Sequence, residues 1–271
     1  MKVIILAGGF GTRLSEETNI LPKPMLEIGG KPILWHIMKT YAFYGYKNFV
    51  LCMGYKSEVI KNYFINYELR NADVFVTLGS KSEKIFSECT HDEAGWQITL
   101  AETGIKSMTG ARVRKIKNYI GDDPFFLLTY GDGVGDINIE ELVSFHKSHG
   151  KMVTLTGVRP PGRFGELKID NDGSTIIGFN EKPQASGGRI NGGYFVCNRE
   201  FLDILNDDED LVLEDEPMKI LIESGELKVY EHDGFWQPMD TSREYLLLNS
   251  LYEKGEAPWI KWIWPMPLNL L

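Results

Sequence analysis

Short apolar runs alternate with amphipathic stretches along roughly the first 160 residues of the chain. The run Val3–Ala7 is apolar at every position and ends at two glycines, as expected of a strand buried on both faces of a parallel sheet. The same pattern predicts strands at 48–53, 74–78, 96–101, 124–130 and 152–158, and helices at 32–44, 57–67, 111–120 and 139–149. This alternation predicts an α/β fold of three layers built on a mainly parallel sheet.

Local signals mark where several helices begin and end. Pro32 suits the first turn of the first helix, and Gly45 is a suitable C-terminal cap. Ser57 is predicted to cap the N-terminus of the next helix. Near the end of the chain, Thr241–Glu244 has the sequence of a capping box, which predicts a helix that runs to about residue 254.

The pattern changes after Arg159. Residues 166–170 and 175–179 alternate apolar and polar positions around an Asn-Asp-Gly sequence at 171–173, which is typical of a β-hairpin turn. We therefore predict a small antiparallel β insertion, so that the sheet structure as a whole is mixed. A further segment follows at 187–198. After it we predict a short helix near residue 201, a helix near 217–223 and a strand at 227–232.

Composition narrows the class of protein. The 271 residues are 43% hydrophobic and 25% charged, which is ordinary for a globular protein with a core. The net charge of -9 disfavours nucleic-acid binding, which more often uses a basic surface. Three cysteines without a CxxC pair indicate neither a zinc site nor a disulfide framework, so we expect a cytoplasmic location. No apolar stretch reaches about 18 residues, so we expect no membrane helix and no membrane partner.

A glycine-rich segment at 6–14 follows the first strand, and Lys23 stands between two prolines shortly after it. Glycines let backbone N–H groups approach phosphate oxygens, while Arg13 and Lys23 would supply fixed positive charge. The segment is not a P-loop, because no Gly-Lys-Ser/Thr closes it. It is not a dinucleotide fingerprint, because Leu14 stands where the third glycine should be. A plain tight turn with surface cations is the alternative to a phosphate-binding loop.

Two aspartates are candidates for binding a metal ion. Asp132 follows a predicted buried strand, at the edge where open α/β sheets place their ligands, and Asp240 precedes the C-terminal helix. Two carboxylates, together with phosphate oxygens and water, make the hard-oxygen environment that Mg²⁺ prefers. By residue type alone, Asp240 could instead cap the helix and Asp132 could simply occupy a turn between glycines.

These segments resemble a known family. Residues 8–14, 22–25 and 29–34 resemble the signature of the sugar nucleotidyltransferases, which join a nucleoside monophosphate from an NTP to a sugar 1-phosphate and release pyrophosphate. More narrowly, residues 34–38, 107–110, 129–134, 160–165, 190–193 and 235–241 resemble the glucose-1-phosphate cytidylyltransferase branch. The resemblance extends from residue 1 to about residue 261. It implies a Rossmann-like nucleotidyltransferase fold and the substrates CTP and a sugar 1-phosphate, namely glucose 1-phosphate.

The resemblance also implies roles for individual residues. The catalytic residues would be Arg13, Lys23, Asp132 and Asp240, with Mg²⁺ held by the two aspartates. The nucleotide would be bound by Leu6, Ala7, Gly8, Gly9, Gly11, Thr12, Ser107, Arg112 and Gly131. The sugar phosphate would be bound by Glu181, Lys182, Asn191 and Gly192. Without the resemblance, Glu181-Lys182 is typical of an exposed turn, and Arg112 of a solvated helix face that it shares with Arg114, Lys115 and Lys117.

We expect a single domain over 1–271, with an NTP-binding part at about 1–135, a sugar-phosphate-binding part at about 136–245 and a C-terminal helix and tail at 246–271. A homo-oligomer is expected. The aromatic tail at 259–264 would either pack on its own domain or form a subunit contact. His36 and His146 lie in amphipathic helices and are expected to be structural.

Several positions depart from the family pattern near the sugar side, namely Glu166, Gln184, Arg189 and Leu213. Another phosphorylated acceptor is therefore an alternative to glucose 1-phosphate. The same chemistry with UTP or dTTP in place of CTP is a second alternative. An inactive sensor that binds a sugar nucleotide is an alternative of another class, although such a sensor would have little use for a metal pair. A dinucleotide-dependent oxidoreductase is disfavoured by the missing third glycine.

Overall fold

The computed structural model describes residues 1–11, 21–76, 84–86, 91–160, 166–170, 174–180 and 188–262. The strands in these ranges are β1 (Val3–Leu6), β2 (Glu27–Ile28), β3 (Lys31–Pro32), β4 (Asn48–Met53), β5 (Val74–Val76), β6 (Lys84–Phe86), β7 (Gln97–Glu102), β8 (Phe125–Tyr130), β9 (Gly133–Gly135), β10 (Val153–Val158), β11 (Glu166–Ile169), β12 (Ile176–Asn180), β13 (Ile190–Asn198), β14 (Leu227–His232) and β15 (Trp236–Pro238).

The α-helices in the same ranges are α1 (Ile33–Phe43), α2 (Ser57–Ile65), α3 (Tyr67–Asn71), α4 (Thr109–Lys115), α5 (Lys117–Ile120), α6 (Ile139–His149), α7 (Glu216–Glu223) and α8 (Ser242–Glu253). Short 3₁₀ helices are formed by Lys23–Met25 and Arg199–Asp203. Within the described ranges, no helix combines the length and apolarity needed to cross a membrane.

Seven strands form the central sheet, in the order β14-β10-β13-β8-β1-β4-β7. β8, β1, β4 and β7 are parallel to one another, and β10 is parallel to β14. β13 alone runs antiparallel to both of its neighbours, β8 and β10. The prediction of a mixed but mainly parallel sheet is therefore confirmed.

Helices cover both faces of this sheet. Successive side chains of a strand point to opposite faces, so Val3 and Ile5 of β1 enter one hydrophobic layer, while Ile4 and Leu6 enter the other. Helix α1 is buried along most of its length in the first layer. Helix α4 and the 3₁₀ helix Arg199–Asp203 supply residues to the second. The three-layer α/β fold is thus confirmed.

Two small antiparallel pairs stand outside the central sheet and bear on the site. β11 pairs with β12, which confirms the predicted β insertion, although the Asn-Asp-Gly turn at 171–173 lies outside the described residues. β15 pairs with β9, and the Met239 backbone N–H donates to the Asp132 carbonyl at 2.8 Å. This second pair brings the segment that carries Asp240 alongside the end of β8.

Several predicted helix boundaries are confirmed and others are wrong. Gly45 ends α1 with a φ of +87°, a left-handed conformation that favours glycine, and the Thr241–Glu244 capping box is formed. Ser57 does not cap α2: it is the first helical residue, and Lys56 precedes it in the left-handed region without a side-chain cap. The helix predicted at 111–120 begins at Thr109 and is interrupted at Ile116, where α4 gives way to α5.

The start of the aromatic tail packs on its own domain. Trp259 and Trp262 are buried in the first hydrophobic layer, and the Trp259 indole N–H donates to Nδ1 of His36 at 3.4 Å. The other ring nitrogen of His36 lies 2.9 Å from the Ile28 carbonyl. Burial lowers the pKa of His36 to about 4, so the ring is neutral, as a structural role requires. His146 is also buried and contacts Thr154. Residues 263–264 lie outside the described ranges.

Candidate active site

A cleft of about 420 Å³ opens where β1 and β8 reach their carboxyl ends. Eleven of the residues singled out from the sequence line it: Leu6, Ala7, Gly8, Gly9, Gly11, Lys23, Ser107, Arg112, Gly131, Asp132 and Asp240. Parallel strands end at a common edge, which is why residues more than 200 positions apart can meet there. Thr12, Arg13, Glu181 and Lys182 lie outside the described residues.

The glycine-rich segment forms one wall of the cleft. The Ala7 N–H donates to the Cys52 carbonyl at 3.0 Å, and the Tyr55 N–H donates to the Gly8 carbonyl at 3.2 Å. A Cβ on Gly8 would overlap the Arg112 guanidinium and lie 2.9 Å from the Gly54 nitrogen. Glycine is therefore needed at this position so that the end of β1 can pass close to its neighbours.

Lys23, Asp132 and Asp240 form a triad in the cleft. The Lys23 ammonium is 2.7 Å from Asp132 Oδ2 and also contacts Asp240 Oδ1. Burial disfavours the charge on Lys23, but attraction by and hydrogen bonds to the two carboxylates prevail and raise its pKa above the ordinary value. Lys23 is held on a 3₁₀ helix that has Pro22 before it and Pro24 within it, so its backbone is stiff.

The capping alternative for Asp240 is wrong. Thr241 caps helix α8, and its side chain accepts from the Glu244 N–H. Glu244 in turn accepts from the N–H groups of Asp240 and Thr241, at 2.7 and 3.0 Å. The cap thus holds the Asp240 backbone, while the Asp240 carboxylate contacts Lys23 across the cleft.

The two carboxylates suit a divalent cation whose remaining ligands come from a substrate. They already share one positive group, the Lys23 ammonium, so their oxygens converge on a common point. The side chains of Asp132 and Asp240 are 38% and 26% exposed, which leaves oxygens accessible from the cleft. Within the described part of the chain, no three His, Cys, Asp or Glu side chains could hold a metal by themselves. Mg²⁺ at this pair would therefore need phosphate oxygens and water as further ligands.

Arg112 is a buried cross-link, and its interpretation as a solvated cation is wrong. The side chain is only 4% exposed. Its guanidinium donates to the carbonyls of Met53 and Gly8, both at 2.9 Å, and of Gly104 at 2.7 Å. These carbonyls belong to the end of β4, the glycine-rich segment and the turn before α4. Burial lowers the pKa of Arg112. Arg112 thus joins three segments that form the cleft wall.

Ser107 is buried at the cleft with polar partners behind it. Its hydroxyl lies 2.6 Å from the Thr103 carbonyl and 2.7 Å from Glu209 Oε2. Lys115 donates to the Ser107 hydroxyl at 2.9 Å and to Glu209 at 2.7 Å. The hydrogen bonds from Lys115 and Ser107 lower the pKa of Glu209. Lys115 is partly exposed to solvent, but it also holds Ser107 and Glu209 in place at the cleft wall.

Tyr130 and Glu214 were missed by sequence reasoning. Tyr130 lines the cleft at the end of β8, and its hydroxyl contacts the Glu214 carboxylate. Asn191 donates to the same hydroxyl at 3.3 Å, which places this predicted sugar-side residue beside the cleft. Gly192 adjoins it on β13, and its carbonyl accepts from the Trp236 indole. A polar aromatic residue directly before the Gly-Asp-Gly turn was the available signal for Tyr130. Glu214 directly follows Leu213, one of the departures from the family pattern, but its contact with Tyr130, 84 residues away, had no signal in the sequence.

Arg189, one of the departures from the family pattern, is not part of the cleft lining. Its guanidinium donates to the carbonyls of Gly157 and His232, at 3.3 and 3.0 Å, and to the carboxylates of Glu231 and Asp233. These partners hold Arg189 at the outer edge of the sheet beside β14. The positive charge gained there is therefore neutralised locally and is not added to the site.

Comparisons with known proteins show which family the chain belongs to. The family model for nucleotidyl transferases matches residues 2–254. A glucose-1-phosphate cytidylyltransferase from Salmonella typhi is 50% identical over 262 residues, which is 97% of this chain and the whole of the relative. A probable glucose-1-phosphate cytidylyltransferase from Bacillus subtilis is 45% identical over the same shares of the two chains.

Among solved structures, a putative glucose-1-phosphate thymidylyltransferase from Bacillus anthracis has a similar fold. Its TM-score is 0.68 at 19% identity, over 97% of this chain and 98% of that one. At that identity the likeness concerns the fold alone. The family match over most of the chain and the two relatives at 45–50% identity decide the classification: this protein belongs to the nucleotidyl transferase family.

Proposed function

We propose that this protein transfers CMP from CTP to α-D-glucose 1-phosphate and so forms CDP-glucose and pyrophosphate. The observation that carries the proposal is the convergence of Lys23, Asp132 and Asp240 on the glycine-rich segment in one cleft. The choice of substrates is supported by the two relatives named as glucose-1-phosphate cytidylyltransferases.

The reaction does not depend on a protein side chain to remove a proton from the nucleophile. The nucleophile is a phosphate oxygen of the sugar 1-phosphate, which is already ionised at neutral pH. It forms a bond to the α-phosphorus of CTP while the bond from that phosphorus to the bridging oxygen breaks, and pyrophosphate leaves with the electron pair. The site has to align the two phosphates and stabilise negative charge.

Different residues of the cleft are suited to aligning the phosphates and to stabilising the negative charge. Backbone N–H groups near Gly9 and Gly11 are suited to bind the triphosphate, with Arg13 as an additional fixed charge. Lys23 keeps Asp132 and Asp240 close together despite their like charges. These two carboxylates would hold Mg²⁺, which when bound neutralises the triphosphate and the charge that develops at the α-phosphorus. Ser107, Arg112 and Gly131 would border the nucleotide.

The acceptor would lie towards β13. Asn191 and Gly192 are placed beside Tyr130, and Glu181 and Lys182 precede them in the sequence. We accordingly assign NTP binding to about 1–135 and acceptor binding to about 136–245, with the C-terminal helix and tail at 246–271 completing a single domain. A homo-oligomer stays a prediction.

A pyrophosphate-release assay tests the proposal directly. Four NTPs are crossed with a panel of sugar 1-phosphates in the presence of Mg²⁺, and CTP with glucose 1-phosphate should give the highest kcat/KM. Cytosine and uracil differ at one ring edge, where a donor replaces an acceptor, and each unpaired buried group costs roughly 1–3 kcal/mol. A preference for CTP over UTP without absolute exclusion is therefore expected.

The outcomes separate the alternatives. Equal kcat/KM for CTP and UTP would contradict cytidylyl specificity. Turnover of CTP with another sugar phosphate, and none with glucose 1-phosphate, would keep the nucleotide and change the acceptor. Binding of CDP-glucose without pyrophosphate release from any pair would favour the inactive sensor.

A further inference from the structure

Glu214 joins the two walls of the cleft from a position behind it. Its Oε2 atom accepts from the Thr109 hydroxyl at 2.9 Å, and its Oε1 atom contacts the Tyr130 hydroxyl. Thr109 begins helix α4 beside Ser107, whereas Tyr130 ends β8 beside Asn191. Within the described residues, Glu214 does not line the cleft, but both Thr109 and Tyr130 do, so its two hydroxyl contacts connect it to the cleft.

The segment that carries Glu214 is firmly held. The first-turn N–H groups of α4 at Gly110 and Ala111 donate to the Leu211 carbonyl, at 2.9 and 3.2 Å. The Leu213 N–H donates to the Thr109 hydroxyl oxygen at 2.9 Å. The Glu214 carboxylate is therefore presented to Tyr130 from a backbone that helix α4 holds at Leu211 and Leu213.

These contacts decide the direction of the hydroxyl protons. A carboxylate only accepts hydrogen bonds, so both Thr109 and Tyr130 must donate to Glu214. A phenol is protonated at neutral pH, so Tyr130 has a proton to donate to Glu214. Because the Tyr130 proton is donated to Glu214, the Tyr130 oxygen can only accept a hydrogen bond from a ligand in the cleft.

Asn191 completes a small recognition pair with Tyr130. The Gly193 N–H donates to Asn191 Oδ1 at 2.8 Å, which turns the Asn191 amide nitrogen towards the Tyr130 hydroxyl at 3.3 Å. That NH₂ group has two protons, and one serves Tyr130. The pair therefore has one remaining donor on Asn191 and one remaining acceptor on Tyr130. A sugar hydroxyl, which both donates and accepts, matches this pair, while a phosphate oxygen, which can only accept, does not.

We propose that Glu214 is a positioning residue that fixes Tyr130 as a hydrogen-bond acceptor, so that Tyr130 and Asn191 together bind one hydroxyl group of the acceptor sugar. This inference rests on the proposed function, since it concerns the acceptor of that reaction. It assigns to the Tyr130–Asn191 pair a hydroxyl and not the phosphate of the sugar 1-phosphate.

The first experiment compares Glu214→Gln with a matched control, Glu216→Gln, whose carboxylate accepts from Asn206 on the same segment. Glutamine has one acceptor oxygen where glutamate has two, so one of the two hydroxyl protons loses its partner. For Glu214→Gln, kcat/KM for glucose 1-phosphate should fall about tenfold, the scale of one hydrogen bond, while the KM for CTP changes less than about twofold. Glu216→Gln should match the wild-type enzyme in both.

The second experiment is a double-mutant cycle with Tyr130→Phe. If Glu214 acts through Tyr130, adding Glu214→Gln to Tyr130→Phe should cause no further loss of acceptor kcat/KM. Additive losses, an equal effect on the KM for CTP, or no effect of Glu214→Gln would each overturn the inference.

A third measurement does not depend on how the Glu214 variant folds. Monodeoxy analogues of glucose 1-phosphate are tested with the wild-type enzyme and with Tyr130→Phe. One analogue should be a poorer substrate of the wild type by about tenfold but carry no such penalty in Tyr130→Phe. If every analogue loses equally in both enzymes, Tyr130 does not bind a hydroxyl. If the wild-type enzyme releases no pyrophosphate from CTP and glucose 1-phosphate, the proposed function fails instead, so the two failures are distinguishable.

Discussion

Replacing Arg112 by methionine tests whether this residue holds the cleft together. Methionine keeps much of the length of the side chain and removes all of its hydrogen bonds. In the buried part of the network, the carbonyls of Gly8 and Met53, both at 2.9 Å, and the Thr103 hydroxyl, at 2.8 Å, lose the guanidinium as a donor. The Gly104 carbonyl is deprived of the same donor, but this residue is exposed, so water can replace the guanidinium there.

The expected loss of unfolding free energy depends on which hydrogen-bond donors each carbonyl retains in the variant. Gly8 still accepts from the Tyr55 N–H, and Met53 from the Thr103 N–H, so neither is left without a donor. Three buried hydrogen bonds from a charged group, to Gly8, Met53 and the Thr103 hydroxyl, are removed at about 1.5–3 kcal/mol each, and the desolvation cost of the buried cation is relieved. We therefore expect unfolding free energy to fall by about 3 kcal/mol, or about 6 °C in Tm for a chain of this size.

Urea unfolding at pH 7 measures this change, with Arg114→Met as the control. Arg114 lies on the same helix and pairs with Asp207, whose side chain is 93% exposed. Such a surface pair contributes about 0–1 kcal/mol. Arg112→Lys should recover only part of the loss, because a single ammonium group cannot span the separate acceptors. If Arg112→Met and Arg114→Met differ by less than about 0.5 kcal/mol, the cross-link does not stabilise the fold as argued.

Three further predictions concern catalysis and pH. Asp132→Asn and Asp240→Asn should each lower kcat by about 10²-fold or more at saturating Mg²⁺ with an unchanged far-UV spectrum, and near-wild-type rates in both would contradict the metal assignment. Arg13→Ala should lower pyrophosphate release by about 10²-fold, whereas Glu16→Ala should have little effect; both residues lie outside the described ranges, and equal effects would disprove the phosphate-binding role. Burial lowers the pKa of His36 to about 4. The unfolded chain, with a His pKa of about 6.5, therefore binds a proton that the folded one excludes, and unfolding free energy should fall by up to about 3 kcal/mol as the pH drops from about 6.5 towards 4. The pH dependence of the urea midpoint should be flatter in His36→Gln, and parallel curves for the two proteins would argue against this origin.

Much of the fold was predictable because its signals are local. The apolar run at the start of the chain can be satisfied only by burial on both faces, and β1 is almost completely buried. The capping box at Thr241 depends on residues three positions apart, and it forms as predicted. The direction of β13 could not be predicted, because it depends on where the chain returns to the sheet after the β insertion.

The same distinction applies to the site. The glycine-rich segment and the two aspartates follow or precede predicted elements, so their meeting at one sheet edge could be anticipated. Arg112 could not be assigned in this way, because the sequence shows a basic helix face and the structure buries only one of its cations among backbone carbonyls. The partnership of Tyr130 with Glu214 likewise depends on tertiary contacts that no local pattern encodes.

Because β13 runs antiparallel to β10, the segment between these two strands can be replaced without disturbing the sheet. β10 ends at Val158, β13 begins at Ile190, and these two residues are paired across the ladder. The intervening segment therefore leaves and re-enters the sheet at adjacent points, like the loop of a very long hairpin. Such a segment can grow at small entropic cost, about 0.6 kcal/mol for each doubling of its length, without moving the strands that carry the nucleotide wall. If Glu181 and Lys182 bind the acceptor as proposed, transplanting residues 159–189 between relatives should change the acceptor preference and leave the nucleotide preference unchanged.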